Sequence, residues 1–361
     1  MKTRLPVRKA ILQRKTYEAP AEGRAGKIRL DFNENTGGCG PAVLRALSKL
    51  TPRQFAMYPE YQRATASIAR SLRVQQNELL LTNGGDDALR VFFDTFVEPK
   101  SHILICEPTF PMYRYWAEIA GARIDVCRYD ARMRFPLDQV LAALRRKPRV
   151  FFLANPNNPT GTLVPPAALR KLLRSARETV VVLDEAYAEF SGFSSLPWIH
   201  RYPNLFIART FSKAAGLAAL RLGAVIASEE SLEPVRRAMP PFPVNLAALV
   251  AAQAALRERK TIARYVRDVK LLRVWFAREL RRFGVTSYPS AGNFLLANFG
   301  PSGPAFFAKL ERNGILLRDR SKEMGPGFVR ITIGTTKEMT TLLREIRRNW
   351  RSQQRNSRGK T

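Results

Sequence analysis

The stretch ELLLTNGGDDALRVFFDTFV (78–97) changes its hydrophobic period midway, and that change sets the fold. ELLLT is a short apolar run that reads as a strand, whereas DDALRVFFDTFV spaces its apolar residues as a helix does. In the turn between them Gly84 and Gly85 permit a close backbone approach, and the helix start presents unpaired N–H groups with partial positive charge. A phosphate fits such a turn. By themselves the two glycines are a common feature, and Asp86 and Asp87 suit an ordinary first helical turn. Neither nucleotide pattern, G-x-x-x-x-G-K-[ST] or G-x-G-x-x-G, is met.

The same alternation extends outward. ELLLT (78–82), HILICEP (102–108), ARIDVCRY (122–129), RVFFLANP (149–156), TVVVLDEAY (179–187), NLFIART (204–210) and LRLGAVIAS (220–228) read as strands, with PLDQVLAALRR and PAALRKLLRSARE as further crossover helices. The expected fold is α/β, a large domain (38–244) with a mostly parallel seven-stranded sheet flanked by helices. After Pro243 come the Ala-rich NLAALVAAQAALRERK and the basic TIARYVRDVKLLRVWFARELRRF, then NFLLANF and FVRITIG around the helix PAFFAKLERN and a final helix. This is read as a smaller α+β domain (245–350). Residues 1–37 are read as an arm on that domain, and 351–361 as a basic flexible tail.

Composition narrows the function. With 361 residues, 45% of them hydrophobic, the chain can bury a large core. No run approaches the roughly 18 apolar residues of a membrane span, and the N-terminus lacks an apolar signal segment, so a cytoplasmic protein is expected. Cys39, Cys106 and Cys127 form no C-x-x-C pair and read as buried thiols, and the two histidines lie far apart; neither a metal site nor a histidine triad is expected. Lysine and arginine number 60 against 30 acids, a net charge of +30. The basic residues are spread along the chain, concentrating only at RRNWRSQQRNSRGKT, and no zinc-finger, RNP or basic-zipper pattern occurs, so specific nucleic-acid binding is not expected. A field that draws anionic substrates is the functional reading of the charge.

Three more stretches carry polar residues where strands end. TVVVLDEAY runs into Asp184, whose carboxylate needs a cation or donors if it is buried, or caps the next helix. ANPNNPTG makes a rigid turn with the amides of Asn155, Asn157 and Asn158. ARTFSKAAGLAALRLGAV sets Thr210, Ser212 and Lys213 in one turn with Arg221 further on. Two hydroxyls and a guanidinium suit a phosphate dianion, and a lysine beside it can condense with a carbonyl when its pKa is lowered.

In this order and spacing the Gly-Gly turn, N-P-x-N-P-T-G, D-x-x-Y and T-x-S-K-x₇-R resemble the fold type I aminotransferases, over residues 30 to about 335. LDFNEN (30–35), MYPEYQ (57–62), PTFPMY (108–113), GILLRD (314–319) and FVRITIG (328–334) are most similar to the histidinol-phosphate aminotransferases among them. The resemblance implies pyridoxal 5'-phosphate, bound by Lys213 as a Schiff base, with Lys213 also moving the proton. It implies that Asp184 pairs with the pyridinium nitrogen, Asn158 and Tyr187 with the ring hydroxyl oxygen, and that Phe110 stacks on the ring. Gly85, Asp86, Thr210, Ser212 and Arg221 would hold the cofactor phosphate, and Tyr58 would reach the neighbouring subunit's cofactor in a homodimer. Arg330 would receive the substrate's anionic group, with Arg318, Asn33 and Tyr17 nearby.

The implied reaction is ping-pong transfer from L-histidinol phosphate to 2-oxoglutarate, a step of histidine biosynthesis. An aromatic aminotransferase or a threonine-phosphate decarboxylase on the same scaffold is the alternative, and a basic nucleic-acid-binding protein is a third reading. Three departures from the family pattern leave the cofactor residues in place and loosen the substrate assignment. Glu34-Asn35-Thr36-Gly37-Gly38-Cys39-Gly40-Pro41 stands where the family has E-N-P-x-G-P, Phe110 stands where Tyr is commoner, and Tyr17-Glu18-Ala19-Pro20 stands where Y-x-P-G is usual.

Overall fold

The computed structural model describes residues 5–12, 14, 16 and 22–358, with side chains described as far as residue 350. Its strands are β1 (Ile28–Leu30), β2 (Leu79–Thr82), β3 (His102–Glu107), β4 (Arg123–Arg128), β5 (Val150–Ala154), β6 (Val180–Asp184), β7 (Leu205–Thr210), β8 (Gly223–Ile226), β9 (Thr286–Ser287), β10 (Phe294–Asn298), β11 (Ile315–Asp319) and β12 (Phe328–Thr332). All seven strands expected from residue 78 to 228 form one sheet, in the order β2-β8-β7-β6-β5-β3-β4. It is parallel except at β8, which runs antiparallel to both β7 and β2. The chain leaves β3 for the β4 edge and returns to β5 on β3's other side, so a topological switch lies between β3 and β5. In open sheets ligands bind beyond the carboxyl ends of strands near such a switch.

Strand alternation assigns each residue a layer. In β5, Phe151 and Leu153 face the helices Leu137–Leu144 and Pro166–Ser175. Phe152 and Ala154 face Gly84–Phe96 and Met112–Ala120. The same rule puts Asp184 on the side of Val182, the second of these layers, and Tyr113 from that layer meets it. Helix Met112–Ala120 has no counterpart in the sequence reading. Its nine residues are rich in aromatics, and two of its side chains, Tyr113 and Ala117, are fully buried.

The second sheet has order β1-β11-β12-β10-β9 and is mixed, because β1 pairs in parallel with β11. Residues read as part of an N-terminal arm thus supply an edge strand, and the helix Lys9–Leu12 lies against Met112–Ala120, where Arg8 and Arg14 donate to the carbonyls of Ile119 and Tyr115. Helix Leu246–Arg257, read from sequence with the second region, packs on Pro41–Leu47 and Gln62–Leu72, and its alanines share the core under the larger sheet. Small side chains permit that close helix contact. The final helix runs Thr336–Arg358, continuing through residues read as tail. Cys106 and Cys127 are buried, but Cys39, expected to be buried, is only partly so, because its glycine-rich turn lies at the surface.

Candidate active site

The carboxyl ends of β2, β3, β5, β6 and β7 and one face of the smaller sheet enclose a cavity of about 550 Å³. It gathers Gly85, Asp86, Phe110, Asn158, Asp184, Tyr187, Thr210, Ser212, Lys213, Arg221, Arg318 and Arg330. Of the other residues singled out from sequence, Asn33 lies just behind the wall, Tyr58 stands apart from it, and Tyr17 is outside the described residues.

At one end the helix Gly84–Phe96 starts against Arg221. Gly84 has φ of 83°, and a Cβ there would come within 2.8 Å of an Arg221 guanidinium nitrogen. A Cβ on Gly223 would meet the Gly84 backbone at 2.6 Å, so two glycines let strand and turn touch. Arg221 is held by Asp86 at 3.0 Å. Thr210 and Ser212 share this end, where the Ser212 N–H donates to the Thr210 hydroxyl at 3.2 Å. Helix N-terminus, hydroxyls and guanidinium make an arrangement suited to a phosphate.

Across the middle lie Asp184 and Lys213. Asp184 accepts from the Tyr113 hydroxyl at 2.7 Å and the Ala186 N–H at 3.0 Å, with no cation in contact among the described residues. Desolvation pushes its pKa up, against those two hydrogen bonds. Such a carboxylate is suited to a positively charged N–H donor. The Lys213 amine donates to the Phe32 carbonyl at 3.0 Å and sits 6.0 Å from the centre of the Tyr187 ring. Burial, assisted by the charge of Arg330, brings its pKa down from 10.5 to about 8. A small neutral electrophile such as acetic anhydride is therefore expected to acetylate Lys213 with a pH midpoint near 8, read by peptide mass spectrometry. Labelling that keeps rising beyond pH 10 would contradict this environment.

The three asparagines of the turn after β5 divide their work. Asn155 accepts from the Val164 N–H, and Asn157 ties together Thr109, Pro108 and Thr160; both hold the turn. Only Asn158 reaches the cavity, where its oxygen accepts from Arg330 at 2.7 Å. Asn33, fully buried with φ of 55°, donates to the Tyr187 hydroxyl at 2.9 Å and accepts from Thr332, so it touches the site through Tyr187. Phe110 stands edge-on to Tyr113 and offers a flat apolar wall.

The far end is cationic. Arg330 on β12 lies directly opposite Arg318 on β11, and like charges in that register repel unless an anion joins them. Arg330 also donates to the Asp31 carbonyl, yet its buried Nε has no hydrogen-bond partner among the described residues. Burial lowers its pKa to about 10, and Arg320 and Arg318 push the same way. Tyr113, Arg29 and Arg320 were not singled out from sequence. Tyr113 closes the quoted PTFPMY, but its role depends on which face of the sheet Asp184 occupies.

The family model described as aminotransferase class I and II matches residues 25–346. A histidinol-phosphate aminotransferase of Geobacillus sp. is 37% identical over 327 residues, covering 88% of this chain and 89% of that protein. One from Moorella thermoacetica is 33% identical over 358 residues, covering 94% and 92%. Among solved structures, the histidinol-phosphate aminotransferase of Sinorhizobium meliloti in complex with pyridoxal-5'-phosphate superposes with a TM-score of 0.88 at 24% identity, covering 97% of this chain and 99% of that one. The L-threonine-O-3-phosphate decarboxylase of Porphyromonas gingivalis gives 0.77, also at 24% identity, covering 89% and 98%.

Proposed function

Because the chain belongs to the class I and II aminotransferases, we propose that it moves the amino group of L-histidinol phosphate to 2-oxoglutarate, forming imidazole acetol phosphate and glutamate in histidine biosynthesis. The observation that carries this reading is one cavity with a phosphate cradle at one end, a neutralisable lysine at its centre and opposed arginines at the other. The cofactor is pyridoxal 5'-phosphate, and the residues present fit it. The Gly84–Gly85 turn, Thr210, Ser212 and Arg221 would take its phosphate, Asp184 its ring nitrogen, Tyr187 and Asn158 its ring oxygen, and Phe110 its face.

When bound, that group supplies a sink for the electron pair left at the donor's Cα. The chain supplies placement and proton movement. Lys213 Nζ, neutral above about pH 8, accepts the Cα proton and returns it one position along. Asp184, a carboxylate in a desolvated wall, would pair with the ring nitrogen and favour its protonated form. Tyr113 fixes the carboxylate from behind, and Asn33 fixes Tyr187. Arg330 and Arg318 hold the anionic end of each substrate in turn, and Asn158 links Arg330 to the cofactor side.

The same proposal makes the protein a homodimer. Tyr58 is 80% exposed and stacks on Phe242 at 4.6 Å, beside the exposed Phe55 and Met57, an apolar patch suited to a second copy whose cofactor phosphate Tyr58 would reach. Among the described residues no helix is long and apolar enough to cross a membrane, and the three cysteines are free, which suits a reducing cytoplasm.

Single-turnover absorbance of the holoenzyme tests the donor. L-histidinol phosphate is expected to convert the bound cofactor to its amine form faster than L-phenylalanine or L-threonine phosphate at equal concentration. Conversion by phenylalanine alone, or release of carbon dioxide from threonine phosphate, would replace this reading with one of the alternatives.

A further inference from the structure

Pairing register fixes which way the smaller sheet turns its side chains. Leu30, Ile315, Leu317, Val329 and Ile331 pack in the core on one face. The other face carries Leu316, Phe328 and Thr332 together with a group of arginines. Arg318 and Arg330 are partners in the ladder, and Arg29, opposite Leu316 in the parallel pair β1–β11, falls on the same side. Arg320 lies just past the end of β11, but its N–H still donates to the Phe328 carbonyl at 2.8 Å, so the ladder carries on and Arg320 keeps the facing of Arg318. Its side chain is buried, lines the cavity, and approaches Glu323 at 3.5 Å.

The anionic side of this end is thin. Glu34 also lines it, but its carboxylate is shared by Arg24 and Arg29. Asp86 and Asp184, the other two carboxylates of the wall, belong to the cradle and to the ring-nitrogen position. Arg318 and Arg330 therefore meet no carboxylate of the cavity, and Arg320 adds a third guanidinium to the same face.

A substrate carboxylate carries one charge and two oxygens, which a single guanidinium fork satisfies. A phosphate monoester near neutral pH carries close to two charges on three terminal oxygens, and one fork leaves an oxygen and a charge without a partner. We propose that Arg320 is a specificity residue, completing with Arg318 and Arg330 a three-arginine cup that favours a phosphate-bearing donor over the dicarboxylate that alternates with it in the same cavity. This inference rests on the proposed transamination of a phosphate-bearing amine.

The two half-reactions of the holoenzyme separate the claims. Arg320→Met and Arg320→Lys are compared with the wild type by stopped-flow absorbance, using L-histidinol phosphate in one series and L-glutamate in the other. Inhibition of the glutamate half-reaction by inorganic phosphate is measured alongside. Loss of one charged hydrogen-bond set is expected to lower kcat/KM for histidinol phosphate about 10- to 100-fold in Arg320→Met. The glutamate half-reaction is expected to stay within about threefold of wild type, the inhibition constant of phosphate to rise in parallel, and Arg320→Lys to recover part of the loss. An equal fall in both half-reactions, or no change in either, would overturn the assignment. If wild-type enzyme turns over glutamate but not histidinol phosphate, the donor reading fails, and the phosphate inhibition series still decides the role of Arg320.

Discussion

Replacing Lys213 with alanine is expected to lower transamination turnover by about 10⁴-fold, the upper range for loss of a positioned proton-transfer group. The same substitution is expected to leave the cofactor-free protein at least as stable as the wild type at pH 7. Lys213 gains one hydrogen bond, to the Phe32 carbonyl, while burial holds its pKa near 8 instead of 10.5. The sign follows from linkage. A lysine whose folded pKa lies below its unfolded value is a destabilising cation at low pH, and that cost fades as pH rises from about 8 through 10.5. At pH 7 the cost is present in full, on the order of 3 kcal/mol for a shift of this size. Thermal unfolding of the two apoproteins at pH 7 checks this beside the activity assay. A variant that loses activity together with several degrees of thermal stability would assign Lys213 a structural role.

How much of this was legible in the sequence depended on whether the signal was local. Lys213, Asp184 and Arg221 each sit at a strand end or in a turn that the hydrophobic pattern marks, and the cavity gathers them. Tyr113 was hidden because its contact with Asp184 depends on the facing of β6, set by its pairing with β5 and β7. Arg320 was hidden for the same reason, since the register of β11 against β12, not local spacing, turns it into the cavity. Asn155, Asn157 and Asn158 read alike in sequence. Asn155 and Asn157 spend their amides holding the turn, Asn157 also on the loop of Pro108 and Thr109, and only Asn158 has its oxygen in the cavity. Three residues carry too little periodic signal to mark strand β1, and its partner β11 lies at the opposite end of the sequence, pairing Ile28 with Ile315.

The second large effect concerns Asp184. Asp184→Asn is expected to reduce turnover by about 10³-fold, the scale seen when an electrostatic partner of the reacting system is removed from a desolvated site. Shape is nearly preserved, because the asparagine oxygen can still accept from the Ala186 N–H while its amide nitrogen donates to the Tyr113 hydroxyl oxygen. What would be lost is the negative charge proposed to keep a proton on the ring nitrogen. Stability is expected to move the other way. Desolvation raises the Asp184 pKa in the folded protein, so the ionised carboxylate weakens folding above that pKa, and the penalty is relieved as pH falls through it. A neutral amide never carries that penalty. The apoprotein of the variant should therefore unfold at an equal or higher temperature at pH 7, a trade of activity against stability typical of functional sites. Unaltered turnover in Asp184→Asn would remove Asp184 from the chemistry.

Lys213 is the amine expected to carry the cofactor. Borohydride reduction of the holoenzyme, followed by proteolysis and peptide mass spectrometry, tests it most directly, because reduction fixes the cofactor to whichever amine bears it. The expected result is a phosphopyridoxyl group on the peptide containing Lys213 and its absence from that peptide after prior conversion with L-histidinol phosphate. A phosphopyridoxyl group on another lysine, or on none, would contradict the account.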